Sequence, residues 1–496
     1  MNVLAIDQGT SATKALLVGP GAEVLGRASV PVRTRSVGAD GVEADPEELF
    51  GSVVAAGRQA LAAARAPAHA VALANQGETV LAWHRHTGAP LSPAIVWQDR
   101  RSGGVCARLA DRSAELTAIT GLPLDPYFAA PKMTWLRENL AQPISGDGTV
   151  TTTDSWLLAR LGAGYVTDAA TASRTLLLDL DRAAWSQTAC AAFGLDPAAL
   201  PEVTDCAGVV GETPAFGGSL PVAGIAVDQQ AALLAEGCLA AGDAKCTYGT
   251  GAFLLVTTGC SAVRSGSGLS SSVAWRLGGA VTYCLDGQVY TAGSALRWLT
   301  SAGVLREPGE LDAIGGSVPD AGGLTFVPAL AGLGAPHWAP DARGLLTGLH
   351  LGTTRGHIAR AVAEGIAASV ALLVAAAVAD LGRSPAGGVW GGSGFRPPGQ
   401  ALRFLRVDGG LTRSRLLMQA QADLLQVPVL ICRSPDATAL GVAALARLGL
   451  GEAASVAEAL GPAEAEMVVE PSITADQAAE RLAVFRTALD LTLGPR

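Results

Sequence analysis

The sequence predicts a mixed α/β fold built from two related halves, and three observations carry that expectation. Short apolar strands alternate with longer segments of helical apolar spacing along most of the chain. Two apolar hairpins with Gly/Thr turns begin at Val3 and at Ala244, about 240 residues apart. The chain is 496 residues long, 49% hydrophobic and 16% charged. At roughly 150 residues per domain this allows two to four domains, and it is too apolar for a disordered chain despite its 61 glycines.

Residues 3–6, Val-Leu-Ala-Ile, read as a buried strand. The run Asp7-Gln8-Gly9-Thr10-Ser11-Ala12-Thr13-Lys14 then turns the chain back into residues 15–18, which makes a hairpin. Residues 70–74 form a short strand ending in Asn75-Gln76-Gly77-Glu78, and strands at 80–83 and 94–97 follow. Residues 221–227 are another strand, ending in Asp228-Gln229-Gln230 and passing into an Ala/Leu helix that reaches Leu239. The stretch 240–243 is the crossing between halves, so the expected domains are 1–241 and 242–496. The turn Gly249-Thr250-Gly251 between residues 244–248 and 252–256 repeats the first hairpin in the second half. Helical spacing covers 357–381; a strand at 402–407 ends in Asp408-Gly409-Gly410, with its helix at 413–425 and a last helix at 475–491. The Gly/Pro-rich segment 387–399 reads as an exposed loop.

Composition excludes several classes. Net charge is −9 and no dense Lys/Arg run occurs, so nucleic acid is not an expected partner. The eight cysteines include no C-x-x-C pair, which argues against a zinc site and for buried free thiols in a reducing compartment. The start MNVLAIDQGT has neither a basic region nor a long apolar core. The most apolar stretch, 365–379, has fifteen uncharged residues, short of the roughly 20 that span a bilayer. A cytoplasmic protein without membrane insertion is expected. The six histidines form no metal set: His84 and His86 share one face of a strand and should be exposed, and His337 sits in a Pro-rich loop. No P-loop, no G-x-G-x-x-G after the first strand and no Ser-His-Asp spacing is present.

Four acidic residues stand at strand ends: Asp7, Glu78, Asp228 and Asp408. One such residue is an ordinary turn former or helix cap. Four of them point to a cleft beside the ends of a sheet. The two Gly/Thr turns are the phosphate candidates, because Gly lets a ligand approach the backbone and Thr or Ser adds a hydroxyl, although a Gly-Thr-Gly turn is also common in hairpins without any ligand.

Eight blocks, in order across more than 400 residues, resemble the FGGY family of carbohydrate kinases, and within it the glycerol kinases. They are DQGTSATK (7–14), AIVWQDRR (94–101), DPYFAAPKMTWL (125–136), VTDAATASRTLL (166–177), GIAVDQQAAL (224–233), TYGTGAFLL (247–255), FVPALAGLGAPHWAPDARG (326–344) and LRVDGGLTRSRLLMQAQADLL (405–425). The resemblance implies two actin-like domains of the ribonuclease H type flanking a central catalytic cleft that closes over its substrates. It implies ATP and Mg²⁺ as cofactors, a small polyol or sugar as substrate, and a homodimer or homotetramer.

By the same resemblance Thr10, Ser11, Ala12 and Lys14 would meet the nucleotide phosphates from the first half, and Thr250 and Gly251 from the second. Gly293, Arg297, Gly410 and Ser414 would line the adenosine pocket. Asp228 would be the general base, with Asp7 and Asp228 near the metal. Glu78, Tyr127, Asp228 and Gln229 would contact the polyol, the amide by accepting from its hydroxyls, with Trp97 and Phe253 as an apolar wall. A base suits this chemistry because the acceptor alcohol must lose its proton as the O–P bond forms.

The chain departs from the glycerol kinase pattern at several places. Gly77 stands where those kinases carry Arg, which removes a charge-assisted contact of about 1.5–3 kcal/mol, roughly 10–150-fold in affinity, and leaves empty volume. The expectation is a substrate larger than glycerol, a polyol or ketose of four or five carbons; retention of glycerol through another donor is the alternative, as is a xylulose-type ketopentose. Ser414 stands for Asn and Arg297 for Gln, and the segment 389–410 carries extra Gly and Pro. A non-catalytic actin-like ATP-binding protein and an ATPase share the fold; the carboxylate at Asp228 argues for the kinase over the pure binder, and phosphate release without an alcohol acceptor would argue for the ATPase.

Overall fold

A computed structural model of the protein describes residues 1–140, 144, 146–383, 402–461 and 465–494, so the loop expected at 387–399 lies outside the described residues. The first hairpin is β1 (Val3–Gln8) and β2 (Ala12–Val18), antiparallel with Asp7 opposite Lys14. It belongs to a six-stranded sheet with β3 (Val24–Pro31), β4 (Ala70–Asn75), β5 (Ala207–Thr213) and β6 (Leu220–Val227), in the order β5-β6-β4-β1-β2-β3. β1, β4 and β6 run parallel, so their carboxyl ends share one edge. Every residue of β4 is buried, which is why it reads as a continuous apolar run and not as an alternating one.

The second sheet contains β7 (Ala244–Tyr248), β8 (Ala252–Gly259), β9 (Ser270–Leu277), β10 (Ala280–Val289), β11 (Leu405–Asp408), β12 (Val429–Cys432) and β13 (Ala465–Val469). Its order is β9-β10-β8-β7-β11-β12-β13. β7 pairs antiparallel with β8 and parallel with β11, as β1 does with β2 and β4, so one local topology occurs twice.

Helices cover the sheets. α1 (Pro46–Ala64) starts where Asp45 accepts from the Glu47 N–H at 2.9 Å and Pro46 takes the first helical position. α2 (Asp228–Ala235) follows β6 directly and stops four residues before the expected Leu239, at the Glu236-Gly237 turn. α3 (Gly293–Ser301) follows β10. α4 (Arg355–Arg383) is longer than the expected 357–381. By length and composition it could cross a membrane, yet 67% of its apolar window is buried inside the fold, as in a core helix. α5 (Arg415–Leu425), α6 (Ala437–Gly449) and α7 (Ala475–Leu493) complete the second half.

α6 belongs to the second half by sequence but packs on the first sheet, with Val442, Ala443 and Ala446 in one core with Val3, Ala72 and Ala223. Two glycines permit this close seam. A Cβ on Gly224 would lie 2.5 Å from the Val442 carbonyl oxygen, and one on Gly441 would lie 2.0 Å from that of Ala231 in α2. A third, five-stranded sheet (Thr34–Val37, Gly41–Ala44, Ala94–Ile95, Val80–His84 and Gly148–Thr152) grows out of the first half and frames Glu78 and Trp97.

The expectation of buried thiols holds for Cys190, Cys206, Cys238, Cys246 and Cys284, and fails at Cys260, which is exposed after β8. All eight cysteines are free. Native protein is expected to show one fast thiol in an Ellman titration, and a Cys260→Ser variant to lose it; a fast thiol that persists in that variant contradicts this reading.

Candidate active site

The parallel register places Asp7 beside Ala74, with Gln8 and Val227 both aligned to Asn75. The turn after β4 and the first turn of α2 therefore meet at the end of β1. Burial pushes the Asp228 carboxyl up to about 7, the charges of Asp7 and Glu78 add to the rise, and the Gln229 N–H (2.7 Å) and Lys245 oppose it. Burial likewise raises Asp7 to about 6, against the pull of Lys14. Three of the four strand-end acids thus converge. Asp408 does not join them; it sits beside Glu236, a buried acid at the end of α2.

Glu78 is held in an uncommon backbone state. The Thr79 N–H donates to the Gly77 carbonyl at 2.8 Å, and Glu78 takes φ +56°, a left-handed conformation that is strained for its side chain. Its carboxylate is buried and accepts from Nε of Arg174 at 2.7 Å; Nη1 of the same guanidinium lies 2.9 Å from Oδ2 of Asp286 on β10. Burial pushes Glu78 up and Arg174 pulls it down. Arg174 lies over the rings of Phe128 (5.3 Å) and Tyr127 (5.9 Å) and joins the two halves across the cleft. Its signal in the sequence is one charge inside the otherwise uncharged run 169–178.

Tyr127 is fixed from below. The buried Lys132 ammonium donates to the carbonyls of Pro126 (3.0 Å), Tyr127 and Phe128 (2.8 Å), and burial pushes this lysine down to about 8. Tyr127 packs edge-on against Trp97, 5.8 Å between centroids. Trp97 donates from Nε1 to Thr10 Oγ1 at 2.9 Å and meets Phe253 of β8 at 6.0 Å. One indole therefore touches the first hairpin turn and the strand leaving the second, so both hairpins face the same space.

Each turn is closed by the N–H of its first glycine, Gly9 to the Ala12 carbonyl three residues on (3.1 Å) and Gly249 to the Gly251 carbonyl two residues on (2.9 Å). Ser11 and Thr250 are exposed, and Lys14 Nζ lies 3.7 Å from Asp436. The start of α3 closes on the second turn, with the Gly293 N–H donating to Gly249 O at 3.0 Å; a Cβ on Gly293 would lie 2.6 Å from that oxygen. Arg297 is exposed on α3 and donates to Ser294 at 3.3 Å. Gly410 lies in an open turn after β11. The Ser414 hydroxyl donates to Asp312 and accepts from the Leu417 N–H at 3.2 Å as the cap of α5.

Gln229 Oε1 accepts from Lys245 Nζ at 2.7 Å, which occupies one of the two lone pairs of the amide oxygen and orients its N–H groups away from the ammonium. The space at residue 77 is not empty: a Cβ there would lie 2.9 Å from Val227 Cγ2, so Val227 fills part of the volume expected for a larger substrate. His86 is exposed, as expected, and His84, half-buried, lies 3.1 Å from Asp147. No group of three or more metal-ligating side chains occurs among the described residues.

Comparison with known proteins agrees with this architecture. Models of the FGGY family of carbohydrate kinases match the chain over residues 2–235 (N-terminal domain) and 244–450 (C-terminal domain). The chain is 41% identical to a glycerol kinase of Aromatoleum aromaticum over 506 residues, covering 99% of both, and 43% identical to one of Thermus brockianus, covering 90% of both. Among solved structures, the Plasmodium falciparum glycerol kinase with ADP superposes with a TM-score of 0.89 at 28% identity, over 100% of this chain and 99% of that one. The xylulose kinase of Rhodospirillum rubrum gives 0.83 at 26% identity, over 99% of each. With both family models covering most of its length and whole-chain relatives above 40% identity, this chain belongs to the FGGY family of carbohydrate kinases.

Proposed function

We propose that this kinase transfers the γ-phosphoryl group of ATP to a terminal hydroxyl of a small polyol, in the manner of the glycerol kinases it resembles, and that it does so in the cytoplasm. The observation that carries the reading is the carboxylate of Asp228 beside Asp7 and Glu78, in the space that both Gly/Thr hairpins face.

In this reading Asp228 takes the proton of the acceptor hydroxyl as oxygen attacks phosphorus. Glu78 and Tyr127 orient the polyol, with Glu78 held still by Arg174 and Tyr127 by Lys132. Gln229 donates to a polyol oxygen, its amide set by Lys245. Trp97 and Phe253 cover the carbon chain and exclude water. Backbone N–H groups of the first turn, with Thr10, Ser11, Ala12 and Lys14, receive phosphate oxygens on one side, and Thr250 and Gly251 on the other. Gly293, Arg297 and Gly410 border the adenosine. The donor set suits Mg²⁺: Asp7 and Asp228 are hard oxygen ligands whose charges repel across an enclosed site. When bound there, Mg²⁺ would neutralise charge on the triphosphate.

The test is ADP formation in Mg²⁺–ATP with a panel of acceptors: glycerol, C4 and C5 alditols, and ketopentoses. Acceptor-dependent ADP with a polyol preferred supports the reading. A ketopentose with the highest kcat/KM would move the assignment to a xylulose-type kinase, and ADP released equally without acceptor would make the protein an ATPase.

A further inference from the structure

Residues on β10 form a part of the cleft wall that neither the proposed chemistry nor the family resemblance uses. Along β8 and β10, Leu254, Leu285 and Val289 point into the core of the second half. Side chains alternate along a strand, so Phe253, Asp286 and Gln288 point the other way, toward the first half. Phe253 and Gln288 are direct cross-strand partners, which sets their Cβ atoms about 5 Å apart.

Gln288 is 2% exposed, and neither its amide nitrogen nor its amide oxygen has a hydrogen-bond partner among the described residues. The Tyr290 hydroxyl lies beside it and can serve one of these atoms, which leaves the other without a partner. Oδ1 of Asp286 makes no close hydrogen bond of its own; Ser270 and Lys245 lie near the carboxylate, and Oδ2 is taken by Arg174. Burying an amide without a partner is unfavourable, so such groups are normally satisfied by something. Aromatic rings close the surroundings: Tyr127 lies 6.4 Å from Tyr290, and Trp97 lies 6.0 Å from Phe253.

We propose that Asp286 and Gln288 form a subsite for the hydroxyl groups of the acceptor that lie beyond its third carbon, so that the preferred substrate is an uncharged straight-chain alditol of four or five carbons. The proposal rests on the kinase reading above and adds the identity of the acceptor. The pair is one residue away from the proposed polyol contacts along two independent routes. Gln288 adjoins Phe253 directly, and Asp286 reaches Glu78 through Arg174. Its chemistry selects the ligand. An amide offers both a donor and an acceptor and Asp286 offers an acceptor, which suits neighbouring hydroxyls. Asp286 and Glu78 together repel a carboxylate or phosphate, so sugar acids and already phosphorylated sugars are excluded. Contacts from this wall would serve a longer chain without calling on the space at Gly77, which Val227 partly fills.

The experiment compares glycerol, erythritol and xylitol by kcat/KM and, without nucleotide, by calorimetric binding, in wild type, Gln288→Leu and Gln288→Met. Wild type should bind and phosphorylate a C4 or C5 alditol better than glycerol. Both variants should lower the ratio of longer-chain to glycerol kcat/KM at least about tenfold, the effect of one lost hydrogen bond in a closed site. If the longer alditols neither bind nor react better than glycerol, or if the ratio is unchanged in both variants, the subsite is wrong. These results separate the two claims, because binding is read without turnover. Loss of the subsite leaves ADP formation with glycerol intact, whereas failure of the base shows only as turnover that survives Asp228→Asn.

Discussion

Replacing Asp228 by Asn is expected to lower kcat at least about 10²-fold, within the 10²–10⁴-fold range of a positioned general base, while ATP still binds. Asn keeps the shape and the hydrogen bond from the Gln229 N–H but cannot take a proton. The pH profile gives a second signature. Burial, with Asp7 and Glu78 nearby, raises the Asp228 carboxyl to about 7. The reactive form is the deprotonated one, so the sign is fixed: kcat/KM for ATP should fall about tenfold per unit as pH drops below that value. A bound divalent cation favours the charged carboxylate, so kcat at saturating Mg²⁺–ATP should hold to lower pH. The residual activity of Asp228→Asn should lack this acid limb. Near-normal turnover in the variant would remove Asp228 from the role.

The second large effect is on stability. Arg174→Met should destabilise the fold by about 3–5 kcal/mol, because it leaves Glu78 and Asp286 buried with no cation between them. The guanidinium also covers the Phe128 and Tyr127 rings, and Met keeps much of that contact, so the charge effect is isolated. Both carboxyls are already raised by burial, and without Arg174 they rise further. An acid raised in the folded state weakens folding when ionised. The variant should therefore regain stability as pH falls through these raised values toward the ordinary carboxylate range. Denaturant midpoints between pH 8 and 5 measure this. Adding Asp286→Leu should recover part of the loss, since neighbouring sites couple. A variant as stable as wild type at pH 8, or additive double effects, would show that the three charges are not a unit.

The sequence by itself determined the two-half α/β plan, because duplicated hairpins and buried parallel strands leave short apolar runs that alternate with stretches of helical spacing. It also determined which acids sit at strand ends, since Asp7 and Asp228 each follow such a run directly and Glu78 follows one after Asn75-Gln76-Gly77. What it could not determine were the contacts made between segments far apart in the chain. Arg174 and Glu78 are 96 residues apart, and Lys132 staples a turn through carbonyl groups that carry no sequence signal. The orientation of the Gln229 amide was set by Lys245 on another strand, and the space at Gly77 was narrowed by Val227, 150 positions later. Asp408 shows the same limit from the other side. It ends a strand as the other acids do, but its strand stands in the second sheet, and only packing sends its side chain to Glu236 and away from Asp228. Local patterns set where a polar group leaves the backbone; the meeting of two sheets sets what it faces, because burial and charge act through space and not along the chain.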